Sequence, residues 1–396
     1  MTMMPEVTLS RASARRLIIS LLREISPRLS GAPHHITWSD ELDLRTDVGL
    51  DSLEILDLAG RLHGMFDMLT GDLPAYLPEH TRLGDWISHI VSTAGRDGRP
   101  VRFLTSGSEG TPRICPHTWT GLMQEAIWLD ALLGSRGHIF SLVPAQHLYG
   151  FLFTQLLPDA GERPCTDVRD TPLLTWWPRL GPDDWVVATP TLWQHLDESL
   201  SGPWPLRQGV SSSAPMPPAL AERLRSRGMQ LTEVYGSSET AGMAVRTQPG
   251  PYELMPWWTY DPASGQLVRI LEGQVCTCEP PDTLVWHGER SLEISGRRDH
   301  AVQIGGVNVY PARIAAQLAA LPWVAQCWVR PMHPAEGHRL KAWIIPADPA
   351  ADMSEILAQA YAWVETHLPP AERPRHIRIA PEPPYTEMGK VSDWPI

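Results

Sequence analysis

A loop of glycines and hydroxyl side chains is the first feature of this chain whose residue types could do chemistry. Residues 105–113 read Thr-Ser-Gly-Ser-Glu-Gly-Thr-Pro-Arg. Glycines let backbone N–H groups approach an anion closely, and hydroxyls add further donors. The loop lacks the Gly-Lys-Ser/Thr of a Walker sequence. Its composition indicates a phosphate-binding loop of another kind, with an ordinary surface loop as the alternative.

A lysine close to the C-terminus is the second such feature. The chain has 33 basic residues, of which only two are lysine, and Lys390 is one of them. An ammonium is a compact charge on a flexible stem that suits a small, changing anion, whereas guanidinium is a rigid planar fork. We therefore expect Lys390 to contact a reacting anion, although its position alone would also fit a solvated tail residue.

A third group of residues follows the apolar segment that ends at Val234. The ring of Tyr235 could stack on a base, and Ser238 could bond a phosphate. The carboxylate of Glu239 could hold Mg²⁺, which prefers oxygen ligands. The loop and this segment together indicate a nucleotide phosphate site.

Short apolar runs and helical patterns alternate after about residue 100, and these elements must position the site. The apolar runs lie at 139–143, 185–188, 231–234, 267–271 and 343–345, and helical windows include 122–133 and 219–227. Strands that alternate with helices predict an α/β domain. From about Gly296 onward, the pattern predicts a small α+β unit.

The region before residue 96 has a helical pattern instead. Residues 11–25 place their leucines and isoleucines at three- and four-residue spacing, a second helix starts at Ser52 after the capping residue Asp51, and residues 86–91 close a third. A small, polar stretch at 92–100 follows. The predicted organisation is therefore multidomain. It comprises an α-helical bundle at 1–95, an α/β body at 99–296 and an α+β domain at 299–396.

Composition narrows the class of protein. The net charge of −12 argues against nonspecific binding of nucleic acid and against docking on anionic membranes. Five scattered cysteines do not make a disulfide framework, and Cys276-Thr277-Cys278 lacks the second pair of a zinc site. The first ten residues lack the pattern of a signal peptide. We expect a cytoplasmic protein without membrane insertion.

The segment Val48-Gly49-Leu50-Asp51-Ser52-Leu53-Glu54 resembles the phosphopantetheine attachment site of acyl carrier proteins. The resemblance covers residues 11–91 and implies that Ser52 carries a 4′-phosphopantetheine arm ending in a thiol. Ser52 would lie exposed at the first turn of its helix, among several acids. An unmodified, degenerate carrier domain is the alternative.

Four segments, in this order, resemble the core motifs of the adenylate-forming superfamily, which includes acyl-CoA synthetases, peptide-synthetase adenylation domains and luciferases. They lie at 105–113, 234–240, 295–306 and 386–390. The resemblance covers about residues 101–396 and implies a two-step reaction with ATP and Mg²⁺. A carboxylate first attacks the α-phosphate, giving an acyl-adenylate and pyrophosphate. A thiol then displaces AMP.

The resemblance also implies roles for individual residues. Lys390 would bridge carboxylate and phosphate, Glu239 would hold Mg²⁺, Asp299 would lie at the hinge of the small domain, and Gly305-Gly306 would face a thiol tunnel. The implied ATP-binding residues are Thr105, Ser106, Gly107, Ser108, Gly110, Arg113, Ala214, Tyr235, Gly236, Ser238, Asp282 and Arg297. The implied acyl-pocket residues are His147, Tyr149, Trp193, Ser211 and Met243, with His147 also a catalytic candidate.

Two departures from the superfamily bear on the substrate. Arg113 stands where the phosphate loop usually has lysine, and the residues before Phe103 are too few for the usual first subdomain. A shortened body with a compact pocket favours a small planar acid. The chain most resembles ligases that load hydroxybenzoate onto acyl carrier proteins in aryl polyene and xanthomonadin-type pigment pathways.

We therefore expect an AMP-forming acid–thiol ligase that activates 3- or 4-hydroxybenzoate. It would transfer the acyl group to the phosphopantetheine thiol of a carrier protein, either a separate one or its own N-terminal domain. An aryl- or acyl-CoA ligase is one alternative. A carrier or scaffold protein with an inactive adenylating fold is the other.

Overall fold

A computed structural model describes residues 9–29, 36–68, 80–105, 113–134, 136–205, 207–271, 273–280, 282–297, 301–305, 307–333, 336–383 and 392–396. The chain divides into two compact units. The first holds residues 1–105, 114–279 and 286–293, and the second holds residues 106–113, 280–285 and 294–396.

A mostly parallel sheet is the centre of the first unit. Its parallel strands, in spatial order, are β4 (Cys165–Asp167), β3 (Ile139–Ser141), β5 (Trp185–Ala188), β6 (Gln208–Ser211) and β7 (Gln230–Ser237). The antiparallel strands β8 (Ala241–Arg246), β9 (Tyr252–Leu254) and the start of β14 (Ser291–Arg297) extend it. All four residues of β5 are buried, as expected for a strand covered on both faces. The α/β prediction is confirmed.

Six further strands are described in this part of the chain. They are β1 (Val101–Thr105), β2 (Arg113–His117), β10 (Trp258–Asp261), β11 (Gln266–Leu271), β12 (Gln274–Cys278) and β13 (Asp282–Trp286). β10, β11 and β12 form an antiparallel sheet, and β1 pairs with β2. The boundary between the units falls within β2, β13 and β14.

Nine α-helices are described in the first unit. They are α1 (Arg11–Ile25), α2 (Ser52–Met65), α3 (Leu83–Thr93), α4 (Trp119–Leu133), α5 (Leu148–Phe151), α6 (Leu157–Gly161), α7 (Leu173–Trp176), α8 (Pro190–Ser199) and α9 (Pro218–Ser226). The predicted cap of α2 is confirmed, because the Asp51 carboxylate accepts from the N–H groups of Leu53 and Glu54 at 2.8 Å each. The Glu54 carboxylate accepts from Asp51 N–H, which completes a capping box.

Helix α1 contacts the α/β body through polar groups. The Ser13 hydroxyl donates to Asp159 at 2.7 Å, and Arg16 donates to the Thr154 carbonyl at 2.9 Å. The sequence predicts 1–95 as a separate domain, whereas the structure groups these helices with the body in one unit. The spacing of apolar residues predicts the helices, but it does not reveal such contacts. That the three helices form a carrier-like domain stays a prediction.

The second unit contains the predicted small α+β fold. Strand β17 (Val324–Pro331) pairs antiparallel with β18 (Leu340–Pro346), which pairs in parallel with β19 (Pro374–Ile379). β15 (Val302–Ile304) and β16 (Val307–Val309) form a hairpin, and the helices are α10 (Pro311–Ala319) and α11 (Met353–His367). Ile314, Ile344 and Val364 contribute to its core. In the described part of the chain, no helix is long and apolar enough to cross a membrane.

The other lysine of the chain, Lys341, is buried in this unit. Its ammonium donates to Glu336 at 2.8 Å, to Asp393 at 2.9 Å and to the carbonyl of Trp394 at 2.5 Å. The Trp394 ring is itself 1% exposed and packs edge-on against Trp343. Lys341 therefore uses all three of its N–H groups, and two of them fix the C-terminal segment to β18.

Candidate active site

The turn between β7 and β8 presents Glu239 to solvent. The hydroxyl of Thr240 accepts from Ser237 N–H at 3.1 Å, and the Ser237 hydroxyl accepts from Glu239 N–H at 3.3 Å. These bonds fix the backbone of the turn, while the Glu239 carboxylate remains exposed. One such carboxylate suits Mg²⁺, which usually takes one or two carboxylates together with substrate phosphates.

Close backbone packing requires glycine at one position of this turn. A Cβ at Gly236 would lie 2.2 Å from the carbonyl oxygen of Ala241, so this position excludes every side chain. Ala241 itself has a φ of +58°.

His117, from β2, bonds through Nε2 to the carbonyl of Ser238 at 2.7 Å. Burial lowers the pKa of His117, and the bond to Ser238 opposes this shift. The strand that follows the predicted phosphate loop therefore contacts the Glu239 turn.

The end of β6 lies beside this turn. The Ser212 hydroxyl donates to the Val234 carbonyl at 2.8 Å, which ties the segment 211–214 to β7. Ser213 has a φ of +74° in this bend. Ala214 and Ser238, both predicted to bind ATP, thus follow neighbouring parallel strands at their carboxyl ends, where open α/β sheets commonly bind ligands.

Tyr149, Trp193 and Ser211 meet around Val210 of β6. The Tyr149 hydroxyl lies 3.1 Å from the Val210 carbonyl and 3.2 Å from that of Ala188, and the Trp193 indole N–H donates to Val210 at 3.1 Å. Their polar groups are therefore used by the backbone, so only their rings could line a pocket. Ser211 is buried, and within the described residues its hydroxyl has no hydrogen-bond partner.

Four further residues predicted for the acyl pocket and the nucleotide site lie on other strands. Met243 is fully buried in β8, two strands from β6. The Tyr235 ring is 7% exposed and packs at a tilt against Tyr252. Asp282, in the second unit, is buried at the start of β13, and Arg113 is exposed at the start of β2.

His147 precedes α5 and keeps exposed surface. Surrounding protein atoms nevertheless lower the pKa of its imidazole; Glu24 opposes this shift and Arg169 adds to it. Gly150, one turn later, lies so close to Pro144 that a Cβ would be 1.8 Å from its carbonyl oxygen. The backbone from Pro144 to Gly150 is therefore a tight turn that only glycine can close.

Several predicted residues lie outside the described part of the chain. They are Ser106, Gly107, Ser108, Gly110, Asp299, Gly306 and Lys390. Thr105 and Arg297 are the last residues of β1 and β14. Gly305 has a φ of +60° in the β15–β16 hairpin, which by itself favours glycine there. The assigned roles of all these residues stay predictions.

Sequence reasoning missed Glu125, a fully buried acid in α4. The Gly242 N–H, just after the Glu239 turn, donates to its two carboxylate oxygens at 3.1 Å each. The Gly242 carbonyl accepts from the Trp258 indole at 2.9 Å. The sequence did indicate the burial of Glu125. This residue lies four positions before Leu129, so both fall on the apolar face of the helix.

Replacing Glu125 by glutamine should remove a pH dependence of stability. Burial raises the pKa of this carboxyl to about 7, although Gly242 and Arg269 oppose the shift. A raised pKa stabilises the fold at low pH, and that stability is lost as pH rises from about 4.5 to 7. The loss should reach up to about 3 kcal/mol in the wild type and be absent in Glu125→Gln. Urea unfolding at pH 5 and pH 8.5 measures it, and parallel pH profiles for the two proteins would contradict it.

Sequence profiles identify the family of the chain. The profile described as "AMP-binding enzyme" matches residues 101–280, and that described as "AMP-binding enzyme C-terminal domain" matches residues 313–390. A 4-coumarate–CoA ligase of Rhodobacter capsulatus is 36% identical over 393 residues, covering 96% of this chain and 99% of that protein. One from Halorhodospira halophila is 35% identical, covering 86% of this chain and 87% of its own.

More distant relatives agree with these matches. A 3,4-dihydroxybenzoate–[aryl-carrier protein] ligase of Bacillus anthracis is 24% identical, covering 73% of this chain and 71% of that protein. Among solved structures, o-succinylbenzoate CoA synthetase of Bacillus subtilis superposes with a TM-score of 0.59 at 17% identity, covering 77% of this chain and 73% of that one. That superposition supports the fold alone.

The chain belongs to the AMP-binding enzyme family of adenylate-forming ligases. Its α/β body and small C-terminal domain are those of this family, and it is an AMP-forming acid–thiol ligase that activates a carboxylic acid with ATP. The family-level expectation from the four sequence motifs is thus confirmed. The identity of the acid and of the thiol are finer questions.

Proposed function

We propose that the protein activates a small aromatic acid of the 4-hydroxycinnamate or hydroxybenzoate type and transfers the acyl group to coenzyme A. The observation that carries this proposal is the 36% identity to a 4-coumarate–CoA ligase across nearly the whole of both chains. That match includes most of the N-terminal helical region, because it leaves only 4% of this chain uncovered. An N-terminal region of this kind therefore also occurs in a ligase named for CoA.

Residues of the chain would divide the work between two half-reactions. In the first, the glycine- and hydroxyl-rich loop would donate to the phosphates, and Lys390 would stabilise the charge that gathers around phosphorus. Mg²⁺, held by Glu239, would neutralise phosphate charge. The rings of Tyr149 and Trp193 would limit the acyl pocket, which favours a flat acid over a long chain. In the second half-reaction, a thiolate would attack the adenylate carbonyl and AMP would leave.

Transfer to a carrier protein is the second candidate. Ser52 is exposed at the first turn of α2, and its neighbours Leu53 and Leu56 are 76% and 53% exposed. Exposed apolar side chains beside a modifiable serine would suit a carrier surface. The Bacillus anthracis relative is also named for a carrier acceptor. Phosphopantetheine on Ser52 would supply the thiol in this case.

Mass analysis of the products distinguishes the two acceptors. Purified protein is incubated with ATP, Mg²⁺, 4-coumarate or 4-hydroxybenzoate, and free coenzyme A, alongside a Ser52→Ala control. We expect an aryl-CoA thioester in both samples at similar rates, because free CoA supplies the thiol. In a second arm, the protein is treated with CoA and a phosphopantetheinyl transferase before ATP and the acid are added. An acylated arm on the wild type, without formation of aryl-CoA, would instead support the carrier function.

A further inference from the structure

Helix α1 lies outside the matched AMP-binding region, yet it bonds directly to the loop before His147. The Ser20 hydroxyl has no exposed surface and makes three hydrogen bonds. It accepts from Ala145 N–H at 3.0 Å and from Arg169 at 2.7 Å, and it donates to the side-chain oxygen of Gln146 at 2.5 Å. One donor and two lone pairs are all that a hydroxyl has, so Ser20 is fully used in fixing this loop.

Glu24 holds the other end of the same glutamine. The Gln146 side-chain N–H donates to one Glu24 oxygen at 2.5 Å, and Arg61 of α2 donates to the other at 2.6 Å. Ser20 and Glu24 are four residues apart, so they face the same side of α1. The Gln146 amide is therefore bonded at its oxygen and at its nitrogen by two consecutive turns of one helix.

These bonds set the position of His147 through a short and inflexible path. His147 follows Gln146 directly, and the tight turn at Gly150 closes the loop on its other side. The His147 carbonyl accepts from Phe151 N–H at 2.7 Å, which joins the loop to α5. Glu24 and Arg169 also act electrostatically on the imidazole. A shift of α1 would consequently move both the loop and the charges around His147.

The loop contacts are not needed to hold α1 in place. Ser13 donates to Asp159, and Arg23 pairs with Asp167 at 2.6 Å and with Asp170 at 2.9 Å. With these anchors at other turns of the helix, the bonds made by Ser20 and Glu24 are free to serve the loop.

We infer that Ser20 and Glu24 are positioning residues for the acyl-binding loop 144–150, so that the N-terminal helix completes the substrate side of the adenylating body. The inference rests on the proposed function, because His147 is assigned to the acyl pocket. The N-terminal region would then contribute to substrate binding by the ligase.

Ser20→Ala tests this role, with Ser13→Ala as the matched control. Both changes remove a fully buried serine hydroxyl from the same helix. We expect Ser20→Ala to raise KM for the aromatic acid about tenfold while KM for ATP stays within about twofold, since a tenfold change corresponds to about 1.4 kcal/mol, the size of one lost hydrogen bond. Ser13→Ala should leave both constants within about twofold, because Ser10 still bonds to Asp159 and Arg23 to Asp167. Equal effects of the two variants, or equal rises in both KM values, would overturn the inference.

Glu24 offers a second comparison. Glu24→Gln keeps an oxygen that can accept from Gln146, whereas Glu24→Ala does not. We expect Glu24→Ala to raise KM for the acid as Ser20→Ala does, and Glu24→Gln to recover most of this loss. Two equally impaired variants would contradict positioning by this hydrogen bond.

Hydrogen exchange tests the inference without any enzymatic activity. The Ala145 N–H is protected by Ser20, so peptides covering residues 144–151 should exchange faster in Ser20→Ala and at the wild-type rate in Ser13→Ala. Unchanged exchange in Ser20→Ala would overturn the inference. If the wild type has no ligase activity but Ser20→Ala still exchanges faster than the wild type over residues 144–151, the proposed function is refuted and the positioning of the loop stands.

Discussion

Replacing Lys390 by alanine should reduce formation of the acyl-adenylate about 100- to 1000-fold. The chain has a single other lysine, Lys341, and its ammonium is already bonded to three acceptors. No second ammonium is thus available to neutralise charge at the carboxylate–phosphate junction. ATP–pyrophosphate exchange in the presence of the acid measures this step alone.

The second half-reaction provides the control for Lys390→Ala. Chemically prepared aryl-adenylate and CoA should still give thioester and AMP at a rate within a fewfold of wild type, because the thiol attacks the carbonyl carbon and no bond to phosphorus forms or breaks in that step. Lys390→Arg keeps the charge but replaces a compact ammonium with a planar fork. Wild-type exchange by Lys390→Ala would refute the assigned role.

Replacing Lys341 by methionine should destabilise the second unit and impair adenylation. Burial alone lowers the pKa of Lys341, but the bonds and charges of Glu336 and Asp393 outweigh this and raise it, so the ammonium stays charged. Removing it leaves the carboxylate of Asp393 without this partner. We expect a loss of about 2 kcal/mol in unfolding free energy, less than for a fully buried pair because Asp393 keeps 37% of its side chain exposed.

The effect on activity follows from the chain connection. Asp393 is three residues after Lys390, and covalent geometry keeps their α-carbons within about 11 Å of each other. A released C-terminal segment should therefore weaken adenylation more than thioester formation from prepared adenylate.

Arg313→Met is the matched control for Lys341→Met. It breaks another ion pair of the second unit, with Glu372, that does not involve the C-terminal segment. We expect a comparable loss of stability with both half-reactions reduced alike. If the two variants changed the ratio of the half-reactions equally, the anchoring by Lys341 would have no special effect on Lys390.

Elements with a strong local pattern could be predicted from the sequence. The apolar run 185–188 is β5 with the predicted limits, and the helix at 11–25 begins and ends as predicted. Asp51 caps α2 because its carboxylate bonds groups two and three residues away. Each of these features depends on neighbours in the chain, so spacing and residue type suffice to predict it.

The features that were missed depend on contacts between distant segments. Glu125 is bonded to Gly242, and His117 to Ser238, more than 100 residues along the chain in each case. The contacts of Ser20 with Ala145 and Gln146 join α1 to the body in the same way. Nothing in the local sequence specifies such partners.

ATP–pyrophosphate exchange by the wild-type protein tests the central claim most directly. The assay uses ATP, Mg²⁺ and labelled pyrophosphate without any thiol, and a panel of acids that includes 4-coumarate, 4-hydroxybenzoate, 3-hydroxybenzoate and a long-chain fatty acid. We predict acid-dependent exchange with one or more of the aromatic acids and none with the fatty acid. Absence of exchange with every acid, or exchange with the fatty acid alone, would contradict the account.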